Sequence, residues 1–346
     1  MKKTLILQFI IASIAFCACS TDVDLYADYK DITIIYGLVD VKADTNFIKI
    51  TKAFCGNNDN YINANEVALI YDSSNYQEKL KAYIVELQSV GGQSYTSIGH
   101  VFELDTLTIH NKQEGQFYSP DQTLYFTSEQ FMANDDVNKY KYKLVVVKPD
   151  GDTVSSITST VGGGLDIVSS KVFFQLNETD VAEQVFFHSS EEGVLYDFKM
   201  QFDYREKHAG QEMVRKRISW TFGAKPLSAY EKKGDNLYVL NYPPNTMFNL
   251  LSNAIGGDTV WDANHPNVVR YIDDFVITMT VGGRELYESY LMTQNTNYTH
   301  VATAFSNIEG GYGLFSSRVV INKTVQLSSI TKRDLFRVQS WGFIEE

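Results

Sequence analysis

Two stretches, Val194 to Tyr204 and Val214 to Phe222, alternate apolar and polar residues on either side of the polar segment Arg205 to Gln211. Successive side chains of a strand point to opposite faces, so alternation of this length commits the chain to a long hairpin with one buried face. Shorter runs repeat the habit. Ile32 to Val39 and Asn46 to Phe54 read as strands around an Asp40 to Thr45 turn, the second with one face apolar only in part. Leu80 to Leu87, Val101 to Ile109, Leu124 to Phe126 and Tyr140 to Val147 follow, the last closing at the turn Pro149-Asp150-Gly151-Asp152. With 22 tyrosines, 21 phenylalanines and six prolines, the composition suits pleated, half-buried surfaces.

The predicted fold is therefore mainly β. Strands at the spacing seen over 31–162 suggest an immunoglobulin-like β-sandwich, and residues 163–346 an antiparallel β domain with a few short helices. The boundary falls at Gly162-Gly163-Gly164, because three glycines hold a strand together poorly. In the second part, Thr246 to Ala254 reads as a helix ending at Gly256-Gly257, and Arg284 to Leu291 has apolar positions at helical spacing. Phe275 to Val281 and Leu314 to Asn322 read as strands, and Ser328 to Phe336 as a short helix with Ser328 or Ser329 near its start.

The first residues set the address. Met1 to Ser20 has two lysines, an apolar run from Leu5 to Phe16 and small residues before Cys19, the parts of a secretory signal. The run is too short to span a bilayer comfortably. Ala18-Cys19 resembles the cleavage site of a bacterial lipoprotein signal, with Phe16 where leucine is usual. The resemblance implies a signal over 1–18, a diacylated Cys19 at the mature N-terminus and a tether over 19–30. It further implies an outer-membrane protein held by its lipid at the cell surface, since more than one acyl chain anchors stably.

Removing Lys2 and Lys3 from the 30 basic residues leaves 28 against 42 acidic ones, a formal charge of −14. Such a chain, with no long basic run, is a poor nucleic-acid binder, because neutralising phosphates takes clustered lysine and arginine. Anionic lipid would repel it too, so the acyl chains must do the anchoring. Of three cysteines only Cys55 remains, which excludes an intramolecular disulfide in the mature chain and suggests a buried apolar role.

No residue set stands out as catalytic. The loop Asn57 to Glu66 carries oxygen ligands, but its spacing is not that of a twelve-residue calcium loop, and ordinary turns use the same residues. Asp135-Asp136, Glu191-Glu192 and Asp273-Asp274 are neighbours in sequence, and neighbours on a strand face opposite ways rather than across a scissile bond. The six histidines lie singly, no Cys-x-x-Cys, nucleophile elbow or phosphate loop occurs, and neither metal nor cofactor is expected. Trp220, Trp261 and Trp341 could stack on sugars, although filling the core is the commoner use of such rings. Thr106, Thr153 and Thr259 each sit between an aspartate and an apolar residue, a pattern that resembles the O-glycan acceptor of exported proteins in some Gram-negative gut bacteria.

Asn307 to Phe315 carries glycines at three of four positions, 310, 311 and 313. Together with Ile34-Ile35-Tyr36-Gly37-Leu38 and the strand-then-helix stretch Val276 to Tyr290, it resembles uncharacterised lipoproteins that Bacteroidota encode beside TonB-dependent transporters. That resemblance carries no catalytic residues. It implies a non-enzymatic accessory or ligand-binding partner of such a transporter, with a glycan or peptide as ligand. A surface hydrolase acting on glycans or peptides and an adhesive module are the alternatives. An exposed apolar patch or aromatic groove would favour the first reading, and convergent carboxylates in a cleft the second.

Overall fold

A computed structural model describes residues 31–54, 64–135, 138–177, 181–255, 268–294 and 305–345. The chain is mainly β, with several largely antiparallel sheets and a few short helices. It opens with β1 (Thr33–Val39) and β2 (Asn46–Lys52), then the short helices α1 (Ala64–Ala68) and α2 (Tyr71–Ser74). Strands β3 (Lys81–Gly91), β4 (Ser94–Glu103), β5 (Asp105–Ile109), β6 (Gln122–Thr127), β7 (Tyr140–Val147) and β8 (Thr153–Ser159) complete the first part. Two-residue strands β9 (Asp166–Ile167) and β10 (Lys171–Val172) lead to β11 (Glu183–His188) and the long hairpin β12 (Leu195–His208) and β13 (Val214–Thr221). Then come β14 (Lys225–Pro226), β15 (Glu231–Lys232), β16 (Leu237–Tyr242), α3 (Thr246–Ile255), β17 (Val268–Gly282), α4 (Arg284–Gln294), β18 (Gly311–Leu327) and α5 (Ser329–Arg337).

A ten-stranded sheet forms the spine, in the order β13-β12-β17-β18-β1-β2-β6-β5, with β10 beside β18 and β14 beside β12. Two four-stranded sheets, β15-β16-β11-β9 and β4-β3-β7-β8, complete the β-structure. One buried apolar cluster runs from Ile35 through Tyr142, Phe187 and Ile277 to Phe343, joining residues of all three sheets. The spine crosses the glycine run at 162–164, since β1 of the first part pairs parallel with β18 of the second, Thr33 opposite Gly311 and Val39 opposite Ser317.

Glycines make that seam. A Cβ on Gly313 would lie 1.9 Å from the Ile35 carbonyl oxygen, and one on Gly311 would lie 2.6 Å from that of Thr33. Gly313 also takes φ +118°, and Gly310 turns into β18 at φ +75°. Only a residue without a Cβ lets two backbones approach so closely in that conformation.

The hairpin forms where alternation placed it, except that β12 runs on through Arg205 to His208, a stretch expected in the connection that instead pairs with β17, and the three helices of the second part form at the expected segments. Ser328 caps α5, its hydroxyl accepting from the Thr331 amide at 3.1 Å. The single strand expected over Val101 to Ile109 is instead two strands in two sheets. Leu104 is buried and donates to the Ala82 carbonyl at 3.0 Å, so the chain passes from one sheet to the other there. Cys19, Cys55, Thr259, Trp261, the Gly256-Gly257 cap and most of the Asn57 to Glu66 loop lie outside the described residues.

Candidate functional site

The outer face of β18, β1, β2 and β6 is the surface that the core leaves unused. In β1 the odd positions Thr33, Ile35, Gly37 and Val39 are buried, so the pleat turns Ile34, Tyr36 and Leu38 outward. Register then sets Leu314 beside Tyr36, Tyr312 beside Ile34 and Phe126 beside Phe47. Tyr36, Tyr312 and Phe47 remain 58%, 55% and 44% exposed. The Phe47 and Phe126 rings lie 6.1 Å apart, an attractive aromatic contact at the surface.

A shallow groove of about 380 Å³ follows this face, lined by Tyr36, Leu38, Phe47, Leu314, Arg318 and Asp40 among others. Charge is sparse along it. Lys49, directly opposite Tyr36, gives its ammonium to the Gln122 amide oxygen at 3.2 Å. Burial and the neighbouring Lys112 both lower its pKa, so this lysine holds its proton less firmly than an exposed one. An apolar, aromatic face of this kind, spread over four strands, is the physical form of a binding surface.

The titratable groups are arranged differently. Buried Glu86 accepts from the Tyr142 hydroxyl at 2.7 Å, and His100 bridges Glu86 and Glu129 at 2.9 and 3.0 Å. Hydrogen bonds to Glu129 and Glu86 raise the His100 pKa, while burial drives the Tyr142 phenol well above its usual range. Arg270 and Glu206 form a buried pair directly across β17 and β12, and the same guanidinium donates to the Trp341 carbonyl. Burial opposes ionisation of Glu206, yet the bonds from His208 and Arg270 outweigh it and hold the carboxyl below the ordinary range. Asp273 accepts from Arg205 at 2.7 Å and Arg215 at 3.3 Å. A carboxyl held below its ordinary range, as in Glu206, is the reverse of what a general acid needs.

Thr106 is half-buried on β5, an edge of the spine, and Thr153 is exposed at the start of β8, an edge of a different sheet. Edges are open to a modifying enzyme, but the fold does not gather the two into one site. The Asp105 carboxylate is held by Lys79 at 2.7 Å and accepts from the Thr106 amide at 2.8 Å. Trp341 is buried against Phe248, and Trp220 is partly buried against Phe222, so these two rings serve packing. Among the described residues no group of histidine, cysteine, aspartate and glutamate is set to hold a metal ion, and no helix is long and apolar enough to cross a membrane. Neither a family model nor a curated protein matches the chain.

The exposed aromatics escape a search for catalytic motifs. Their trace in the sequence is the lack of alternation in Ile34-Ile35-Tyr36-Gly37-Leu38, since a run apolar on both faces of the pleat needs an apolar neighbour on both.

Proposed function

We propose that this protein is a lipid-anchored, non-enzymatic accessory of the outer membrane that docks a TonB-dependent transporter through the outer face of β18, β1, β2 and β6. The aromatic strip centred on Tyr36, Phe47 and Tyr312 carries the reading, because interface cores are enriched in such side chains and depleted in charge. Position supports it too. The segment 19–30 leads directly into β1, the strand that carries Tyr36, and twelve residues reach at most about 40 Å when extended. An acylated Cys19 would therefore hold this face within reach of proteins embedded in the same bilayer.

The test is affinity purification of the tagged lipoprotein from detergent-solubilised outer membranes, beside Cys19→Ala and a Tyr36→Ser/Phe47→Ser/Tyr312→Ser triple variant. A transporter recovered with the wild type and lost with both variants supports the proposal. Recovery of the lipoprotein alone, or of a transporter indifferent to the triple variant, overturns it.

A further inference from the structure

The ladder between β3 and β4 is interrupted beside Glu86. Register pairs Val85 with Val101 and Leu87 with Ser97, so Ile98, Gly99 and His100 together stand opposite Glu86. Gly99 takes φ +83°, the left-handed conformation that lets such a bulge turn. The extra length re-aims His100, whose ring lies 4.2 Å from that of Phe102.

Both ring nitrogens end on carboxylates. Nδ1 lies 2.9 Å from Glu86 Oε2, and Nε2 lies 3.0 Å from Glu129 Oε2. Carboxylates only accept and a neutral imidazole has one N–H, so this geometry is satisfied in full by an imidazolium that donates twice. The two acceptors are unequal. Glu86 is buried, and Tyr142, opposite it on β7, donates to its other oxygen at 2.7 Å while accepting from the Met132 amide at 2.8 Å. Glu129 is half exposed on the segment that follows β6. Glu86 from β3 and Glu129 from that segment are the charged groups that face His100, and Tyr142 from β7 faces it through Glu86.

We infer that His100 is a pH-operated clasp, closed as the imidazolium and opened by loss of the proton at Nε2. The remaining proton stays on Nδ1, because depriving a buried carboxylate of a donor costs more than depriving a solvated one. Glu129 is then released to water. Beyond it, Phe131 stays stacked on Phe102 at 4.6 Å and Asn134 Oδ1 keeps its bond from the Tyr140 amide at 2.5 Å, so the freed stretch is confined to Ser128, Glu129 and Gln130. Its ends touch the turn between β1 and β2, through Ser128 Oγ to Thr45 Oγ1 at 3.1 Å and Gln130 to the Val41 carbonyl. Thr45 lines the groove of the aromatic face, but the clasp stands whether or not a partner docks there.

The experiment follows the His100 ring signal by NMR in the full-length lipoprotein in detergent, with isotope-labelled histidine and assignment by His100→Gln. Bonds to both carboxylates favour the charged ring, so its midpoint should lie above the ordinary histidine value of about 6.5, and Glu129→Gln should bring it down. The wild type should unfold at a higher temperature than Glu129→Gln at about pH 6. That gap should close as pH rises through the wild-type midpoint, since the bond to Glu129 stabilises the fold only while the imidazolium persists. Deuterium exchange of the peptide 127–131, corrected for its intrinsic pH dependence, should rise through the same midpoint and be raised already at the lower pH in Glu129→Gln. These three results together support the clasp. A midpoint at or below that of an exposed histidine, a midpoint that Glu129→Gln leaves in place, a stability gap that persists above it, or exchange indifferent to it overturns the inference.

Discussion

At the β13-β12-β17 end of the spine the outer surface is a ladder of arginines and carboxylates, whereas at the β18-β1-β2 end it is tyrosine, phenylalanine and leucine. Across β12 and β13, Arg217 stands directly opposite Asp203 and clasps it with two bonds of 2.6 and 2.7 Å. Arg205 and Arg215 converge on Asp273 beside them. The triplet Arg215-Lys216-Arg217 is therefore occupied in ion pairing at its two arginines, and it sits on an edge strand, where charge discourages edge-to-edge association. Around Tyr36, Phe47 and Tyr312 charge is sparser, with Lys49 opposite Tyr36 and Asp40 and Arg318 in the groove. One end satisfies its own polar groups and the other leaves apolar area open, and the proposed docking rests on that difference.

Four measurements would break or sharpen that contrast. The largest effect is expected inside the charged end. Arg270→Met leaves the buried Glu206 with only His208 at 3.0 Å and Lys216 at 4.0 Å, and should cost about 3 kcal/mol in urea unfolding, while Arg270→Met/Glu206→Leu should recover most of it. If the single variant unfolds like the wild type, the charged end is not what secures the fold. Next comes the seam that joins the two ends. Gly313→Ala must place a Cβ on the Ile35 carbonyl at positive φ, and a loss of order 3 kcal/mol is expected by the same method.

Asp203→Asn should cost less than either, because Arg217 is half exposed and solvent screens the pair. The hydrogen bond from Arg217 depresses the Asp203 pKa, so its stabilisation is present above the ordinary carboxylate pKa and disappears as pH falls through the folded value. The gap between variant and wild type should therefore close below about pH 4. A gap that widens in acid would reverse the assignment. The smallest effect belongs to the aromatic end. Tyr36→Ala should leave stability within about 0.5 kcal/mol of wild type while weakening capture of the membrane partner. A large stability loss there would mean that the face is packed against the chain itself.

Much of the local architecture is already legible in the residues. The hairpin, α3, α4 and α5 follow from periodicity, and Ser328 is a cap readable in advance because its hydroxyl needs only the amide three residues on. The candidate surfaces are less legible. Tyr36 and Phe47 show as apolar residues on a second face, but their exposure depends on what lies over that face. Asn134 carries no local signal at all, since its burial rests on distant chain, with Gly163 packed on its backbone carbonyl.

By itself, the sequence determines that the chain is β-rich and where the three helices of its second part begin, because each of these rests on contacts within a few residues. Tertiary structure alone decides that β1 lies parallel to β18, that Val101 to Ile109 divides between two sheets, and that one end of the spine carries clasped ion pairs while the other exposes aromatic rings. The physical reason is that alternation states which face of a strand is apolar but not which distant strand or sheet will cover it.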